Sequence, residues 1–143
     1  MALEETIITR IQKTGYKLVD GQHRNFSFIL KRNIFFAGSV FALTEYKQGQ
    51  HINDIISYGR AWNFENLTSL KDKIFGTGIN LVIFHHGELT LEDIKGKSDK
   101  GGDKKAMLQS ISIVDLTTNK IEQDHTWVLL PALKETITNI AEG

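Results

Sequence analysis

Cysteine is absent from the 143 residues, so disulfides and thiolate metal sites are excluded. Charge of one sign is not in excess: 17 Lys and Arg balance 17 Asp and Glu. The electrostatic footprint of a dedicated nucleic-acid binder is therefore missing overall. No run of apolar residues approaches the length of a bilayer span, so no membrane association is expected. The amino-terminal Met-Ala-Leu-Glu-Glu has no basic region followed by an apolar one, and cytoplasmic residence is expected. No internal repeat, no glycine-rich dinucleotide fingerprint and no Gly-x-Ser-x-Gly elbow is present. Gly96-Lys97-Ser98 ends like a phosphate-binding loop, but Leu91 stands where that motif requires its first glycine.

What is present is organised around residues 34–58. From Ile34 to Leu43 there is no charge. In a strand, residues of one parity share a face. Ile34, Phe36, Val40 and Ala42 fall on one face, and Phe35, Ala37, Phe41 and Leu43 on the other. Both faces are apolar, which predicts an interior strand covered on both sides. Thr44-Glu45-Tyr46-Lys47 restores polarity, Gly49 breaks the chain, and a helix is expected from about Gln50.

Leu3, Ile7, Ile8 and Ile11 mark a first helix over 3–14, with Glu4 and Glu5 at its positive end and Gly15 as its stop. Tyr16 to Val19 is a short extended piece, and Asp20-Gly21 a turn. Phe26, Phe28 and Leu30 alternate as a strand, which Lys31-Arg32-Asn33 turns into the central one. Ile52, Ile55, Ile56, Gly59 and Trp62 stripe a second helix, and Leu67, Leu70, Ile74 and Phe75 a further one. Trp62, Tyr58 and Phe64 are read as core by this helical spacing, with an exposed aromatic patch as the alternative. Ile79 to Phe84 is a strand closed by His85-His86-Gly87, and Thr90 to Asp93 is patterned as a capping box. Residues 95–105 lack apolar side chains apart from their flanks and are expected to be a flexible surface loop. Ser110–Leu116 and Ile121–Leu130 form a hairpin across Thr117–Lys120, and Pro131 opens a last helix with Leu133, Ile137 and Ile140. The expected object is one α+β domain of order α-β-β-α(α)-β-β-β-α with a five-stranded, largely antiparallel sheet. This order resembles the roadblock and longin-like scaffolds used for dimerisation and partner docking.

Glu45 and Lys47 are the sharpest chemical lead. Two apart on a strand, the carboxylate and the ammonium face one side. A carboxylate holds a divalent metal, and a lysine positions water or neutralises phosphate. With the first helix, Gly15-Tyr16 and the hairpin before it, this strand-end pair resembles the core of PD-(D/E)XK nucleases over residues 3–86. The resemblance implies a site with Glu45 and Lys47 as catalytic groups, Mg²⁺ or Mn²⁺ as cofactor and nucleic acid as partner. It also requires an acid at the start of the preceding hairpin strand. Asn25-Phe26-Ser27-Phe28 stands there, and Asp20 is the nearest candidate for that catalytic and metal-binding role. His23, His51, His85, His86 and His125 show no metal-ligand spacing, and adjacent His85 and His86 point to opposite faces. With no complete catalytic set and no cofactor motif, the leading expectation is a non-enzymatic binding or assembly module, a homo-oligomer or the subunit of a protein complex. The alternative is a nuclease-like domain using Glu45, Lys47 and Asp20 with a divalent metal.

Overall fold

The computed structural model describes residues 3–21, 23, 25–34, 37–66, 76–99, 106–125 and 132–136. Helix α1 (Leu3–Lys13) buries Ile7 and Ile11, carries acids in its first turn and Arg10 and Lys13 in its last, and stops at Gly15, whose φ is +101°. The strands are β1 (Lys17–Leu18), β2 (Phe28–Ile34), β3 (Ala37–Glu45), β4 (Thr77–His85), β5 (Ala106–Asp115) and β6 (Ile121–His125). Helix α2 (Ile52–Glu65) joins β3 to β4, and a single turn, α3 (Leu91–Ile94), lies between β4 and β5. Residues 133–136 are helical. The expected stripe 67–75, Phe35, Phe36, Trp127, Leu129, Ile137 and Ile140 lie outside the described residues.

The domain is α+β, but the sheet departs from the five-stranded, largely antiparallel expectation. Among the described residues it has six strands, in the spatial order β1-β2-β3-β4-β5-β6. β1–β2, β2–β3 and β5–β6 pair antiparallel, while β3–β4 and β4–β5 pair parallel. The connections set these directions. Ile34 pairs with Ala37 across a two-residue link, so that pair is a hairpin. The α2 connection instead carries the chain back to the starting end, and the next strand runs parallel. The α3 connection repeats this. The extra strand is the short extended piece at Lys17–Leu18, which pairs with Lys31 and Leu30.

The turn expected at Lys31-Arg32-Asn33 is strand instead, paired with Val40, Ser39 and Gly38. Beyond Lys31 no β1 residue flanks β2, so its charges sit on an edge, where charge is well tolerated. The Arg32 guanidinium also donates to the Thr14 carbonyl, an acceptor left open at the end of α1.

The two apolar faces of β3 are both covered. Val40 and Ala42 join Ile79, Leu81, Ile83, Ile111 and Ile113 beneath Ile55 and Ile56 of α2. Phe41 and Leu43 join Val82, Phe84, Val114 and Leu133 beneath Ile7 and Ile11 of α1. A bulge in β5 pairs Ile79 with Leu108 but Asn80 with Ser110, so Leu108 and Ile111, three apart, serve the same face. Helix α2 approaches the sheet closely at Gly59, where an added Cβ would lie 2.6 Å from Leu81 Cδ2. Asn63 donates to the Thr77 carbonyl at 2.9 Å, and Arg60 bridges to buried Asp99 at 2.6 Å. Under α1, the Tyr16 hydroxyl meets Ser39 Oγ at 2.7 Å and its ring meets Phe41 edge-on.

Two outcomes follow. Gly59→Val is expected to lower stability by about 2 kcal/mol through overpacking, with Gly59→Ala milder because better helix propensity offsets about 1 kcal/mol; urea unfolding reads both. Burial raises the Tyr16 pKa above 10.0, against the opposing pulls of the Ser39 hydrogen bond and the Arg32 charge. A raised folded pKa means that this contribution is intact below the unfolded value and lost as pH rises through the folded one. Stability is therefore expected to fall at alkaline pH, and Tyr16→Phe to flatten that fall in unfolding curves taken across it.

Candidate functional site

The carboxyl end of β3 opens into a cleft. Glu45 ends β3 paired with Phe84, the Tyr46 amide donates to the Phe84 carbonyl at 2.8 Å, and Lys47 lies beyond the strand. The chain then turns through Gly49, at φ +86°. Three bonds hold the turn: Lys47 N to Gln50 Oε1 at 3.0 Å, Gln50 N to Lys47 O at 3.0 Å, and the Tyr46 hydroxyl to Gln50 O at 2.9 Å. Tyr46 packs against the core beneath α2, while Glu45 and Lys47 are exposed.

The facing wall is the connection that leads into β2. Its backbone is held by a His23–Phe26 bridge and by the Ser27 amide donating to Leu43 O at 2.9 Å. The His23 Nε2 donates to the Val19 carbonyl at 3.0 Å, and its ring meets Trp62 edge-on at 5.9 Å. Between the walls lies a cavity of about 390 Å³ lined by His23, Asn25, Phe26, Ser27, Thr44, Glu45, Lys47 and Gln50. An adjoining cavity of about 290 Å³ runs along α2 and shares Asn25 and Phe26 with it.

The structure brings Glu45 and Lys47 to one cavity. Asp20 is exposed, just before the Gly21 turn, and is not among the lining residues. Asn25 and Ser27, from the segment where the PD-(D/E)XK pattern calls for an acid, do line it. Among the described residues, no group of three or more His, Asp or Glu side chains is arranged to hold a metal ion. The Glu45 carboxylate lies 4.0 Å from His86 Nε2, both side chains more than half exposed, a geometry that contributes little in water.

The adjacent histidines part as expected. His85 is buried, and its Nδ1 accepts from the Gly87 and Leu89 amides at 3.2 and 3.3 Å, leaving the ring proton on Nε2. His86 is exposed. At the neighbouring strand end, the Thr117 side chain and backbone amide hydrogen-bond to Asp115 and hold its carboxyl below the ordinary value.

The first part of the 95–105 segment is anchored. Asp124 accepts from the amides of Gly96 and Ser98 at 2.9 Å, and Asp99 accepts from the Leu108 amide at 2.8 Å. Residues 100–105 lie outside the described residues. The core assignment of the α2 aromatics holds only for Trp62, which is half-buried; Tyr58 is 39 % and Phe64 73 % exposed. Both lie two places past an inward residue, Ile56 and Trp62, which was the signal available in the sequence. His23 and Asn25 had no such signal, because only the folded connection brings them opposite Glu45; Gln50 sits in the turn that follows β3.

Glu45→Ala and Lys47→Ala are each expected to change stability by no more than about 0.5 kcal/mol, because both side chains are exposed; a larger loss in thermal unfolding would give them a structural role. No described helix is long and apolar enough to cross a membrane. No family model, curated protein or solved structure matches this chain.

Proposed function

We propose that this chain is a non-enzymatic binding or assembly module that docks a partner, a second copy or another protein, in the cleft between the lead-in to β2, the carboxyl end of β3 and α2. Crevices at the carboxyl ends of parallel strands are habitual ligand sites, because the connections there diverge and leave side chains facing open space. The observation that carries the reading is the cavity lining: one carboxylate, Glu45, set among Lys47, His23, Asn25, Ser27 and Gln50. This set offers donors and acceptors of both kinds, suited to holding polar groups of a partner.

The same lining argues against a resident Mg²⁺ or Mn²⁺. Such ions take oxygen ligands in near-octahedral geometry, through one or two carboxylates together with substrate phosphates. Here a lysine stands beside the single carboxylate, and the amide of Asn25 takes the place of a second one. With one carboxylate and an ammonium on the same cavity, the described lining is poor in anionic oxygen for a resident divalent ion. The order α1-β1-β2-β3-α2-β4 with Glu45 and Lys47 on one cavity favours a second reading, a nuclease-like domain whose cleft has become a binding surface or retains metal chemistry.

Calorimetry with Mn²⁺ separates the readings. The unaltered chain is expected to show no saturable uptake at millimolar metal, and Asn25→Asp to create it by adding the second carboxylate. Saturable binding by the unaltered chain, lost in Glu45→Ala, would sink the binding-module reading in favour of the nuclease-like one. Sedimentation equilibrium then identifies the partner: a mass twice that of the chain names a second copy.

A further inference from the structure

The cavity along α2 has a chemistry of its own. Its lining is Asn25, Phe26, Tyr58, Ala61, Trp62 and Glu65. The four α2 residues are spaced i, i+3, i+4 and i+7, which places them on one helical face. Three are aromatic or acidic, and Phe26 closes the opposite side. Aromatic ring faces are electron-rich and attract cations. Glu65 adds a full negative charge, exposed at the last position of α2. That end of a helix already carries partial negative charge from its open carbonyls and ordinarily favours a cation. Among the described residues, the last turn of α2 contains no basic residue and none lines the cavity. Rings, carboxylate and helix end therefore act with one sign.

The wall is also preset. Trp62 packs against the core beneath α2 and meets the His23 ring, while Phe26 is 7 % exposed. Trp62 and Phe26 therefore lose little side-chain freedom when an occupant enters, whereas exposed Tyr58 and Glu65 order on binding. The matching occupant has a flat, weakly hydrated cationic head that stacks on rings and donates to a carboxylate, and an apolar stem. A guanidinium on its methylene stem meets these terms better than a compact, strongly hydrated ammonium.

We propose that this compartment binds an arginine side chain of a protein partner. It shares Asn25 and Phe26 with the larger cavity, so the partner's backbone can run on toward Gln50 and Lys47. The partner in this statement rests on the docking role proposed above; the selectivity for a cation rests on Tyr58, Trp62 and Glu65 alone.

The test is an NMR titration of the full chain, following the indole N–H of Trp62, which Trp62→Phe assigns. The probes are Nα-acetyl-arginine methylamide and its uncharged isostere, Nα-acetyl-citrulline methylamide. Saturable shifts with the arginine probe in the millimolar range are expected, with the citrulline probe weaker by about tenfold. Glu65→Gln is expected to weaken the arginine probe by about fivefold, and Tyr58→Ala likewise, with the amide spectrum showing both variants folded. Equal binding of the two probes, no saturation, or indifference to Glu65→Gln would each overturn the proposal. The titration is independent of the Mn²⁺ experiment, so the arginine compartment and the docking role fail separately.

Discussion

Covering both apolar faces of β3 is the constraint on which the rest of the structure depends. Val40 and Ala42 on one face and Phe41 and Leu43 on the other are fully buried. Each large apolar side chain withdrawn from water contributes about 1.5–3 kcal/mol, whereas an exposed ion pair contributes at most about 1 kcal/mol. Burial therefore decides the architecture, and the polar strand end is placed as a consequence. One face goes to α1, the other to α2. A helix laid across the sheet after β3 returns the chain to the end where β3 began, so β4 runs parallel to β3. Their carboxyl ends then share one edge, where Glu45 pairs with Phe84 and the polar residues reach solvent together.

The cleft comes from how the α2 face is tiled. Helix α2 is held to the sheet by Gly59 against Leu81, by Asn63 to Thr77 and, on one side, by Arg60 to Asp99. On its other side the cover is the connection before β2, which contributes Val19 and Phe26 to the same core. A helix and an irregular segment do not interdigitate along their whole length. The seam between them holds the smaller cavity, and the larger lies between the same connection and the end of β3, with half-buried Trp62 bridging toward His23. Small-molecule and side-chain sites commonly occupy such seams, where apolar walls end in a few placed polar groups. The two compartments differ in kind: mixed polarity beside Glu45 and Lys47, uniformly electron-rich beside Trp62 and Glu65.

Residue pattern alone identified most of the elements, because each has a local physical cause. Parity exposed the two-faced β3, helical spacing exposed Ile7 and Ile11 of α1 and Ile55, Ile56 and Gly59 of α2, and Gly15 marked a stop. Thr90 and Asp93 read correctly as a capping box, the Asp93 carboxylate accepting from the Thr90 amide at 2.7 Å. Glu45 and Lys47 line one cavity, although β3 ends at Glu45 and Lys47 lies beyond it.

Strand direction, sheet order and the opposite wall of the cleft were decided only by tertiary structure. No spacing rule tells whether the strand after α2 returns beside β3 in parallel, because that depends on which way the helix crosses the sheet. The strand character of Lys31–Asn33 depended on an edge left open by a two-residue β1, and the burial of Asp99 on Arg60 from 39 positions away. Exposure of Tyr58 and Phe64 depended on how much of α2 its neighbours cover. His23 and Asn25 meet Glu45 for the same reason: the connection before β2 folds back over the sheet to bury Val19 and Phe26. The sequence by itself determined which segments must be helix or strand and which faces must be buried, since those follow from neighbours along the chain; the site needed contacts between segments, which only the packed core supplies.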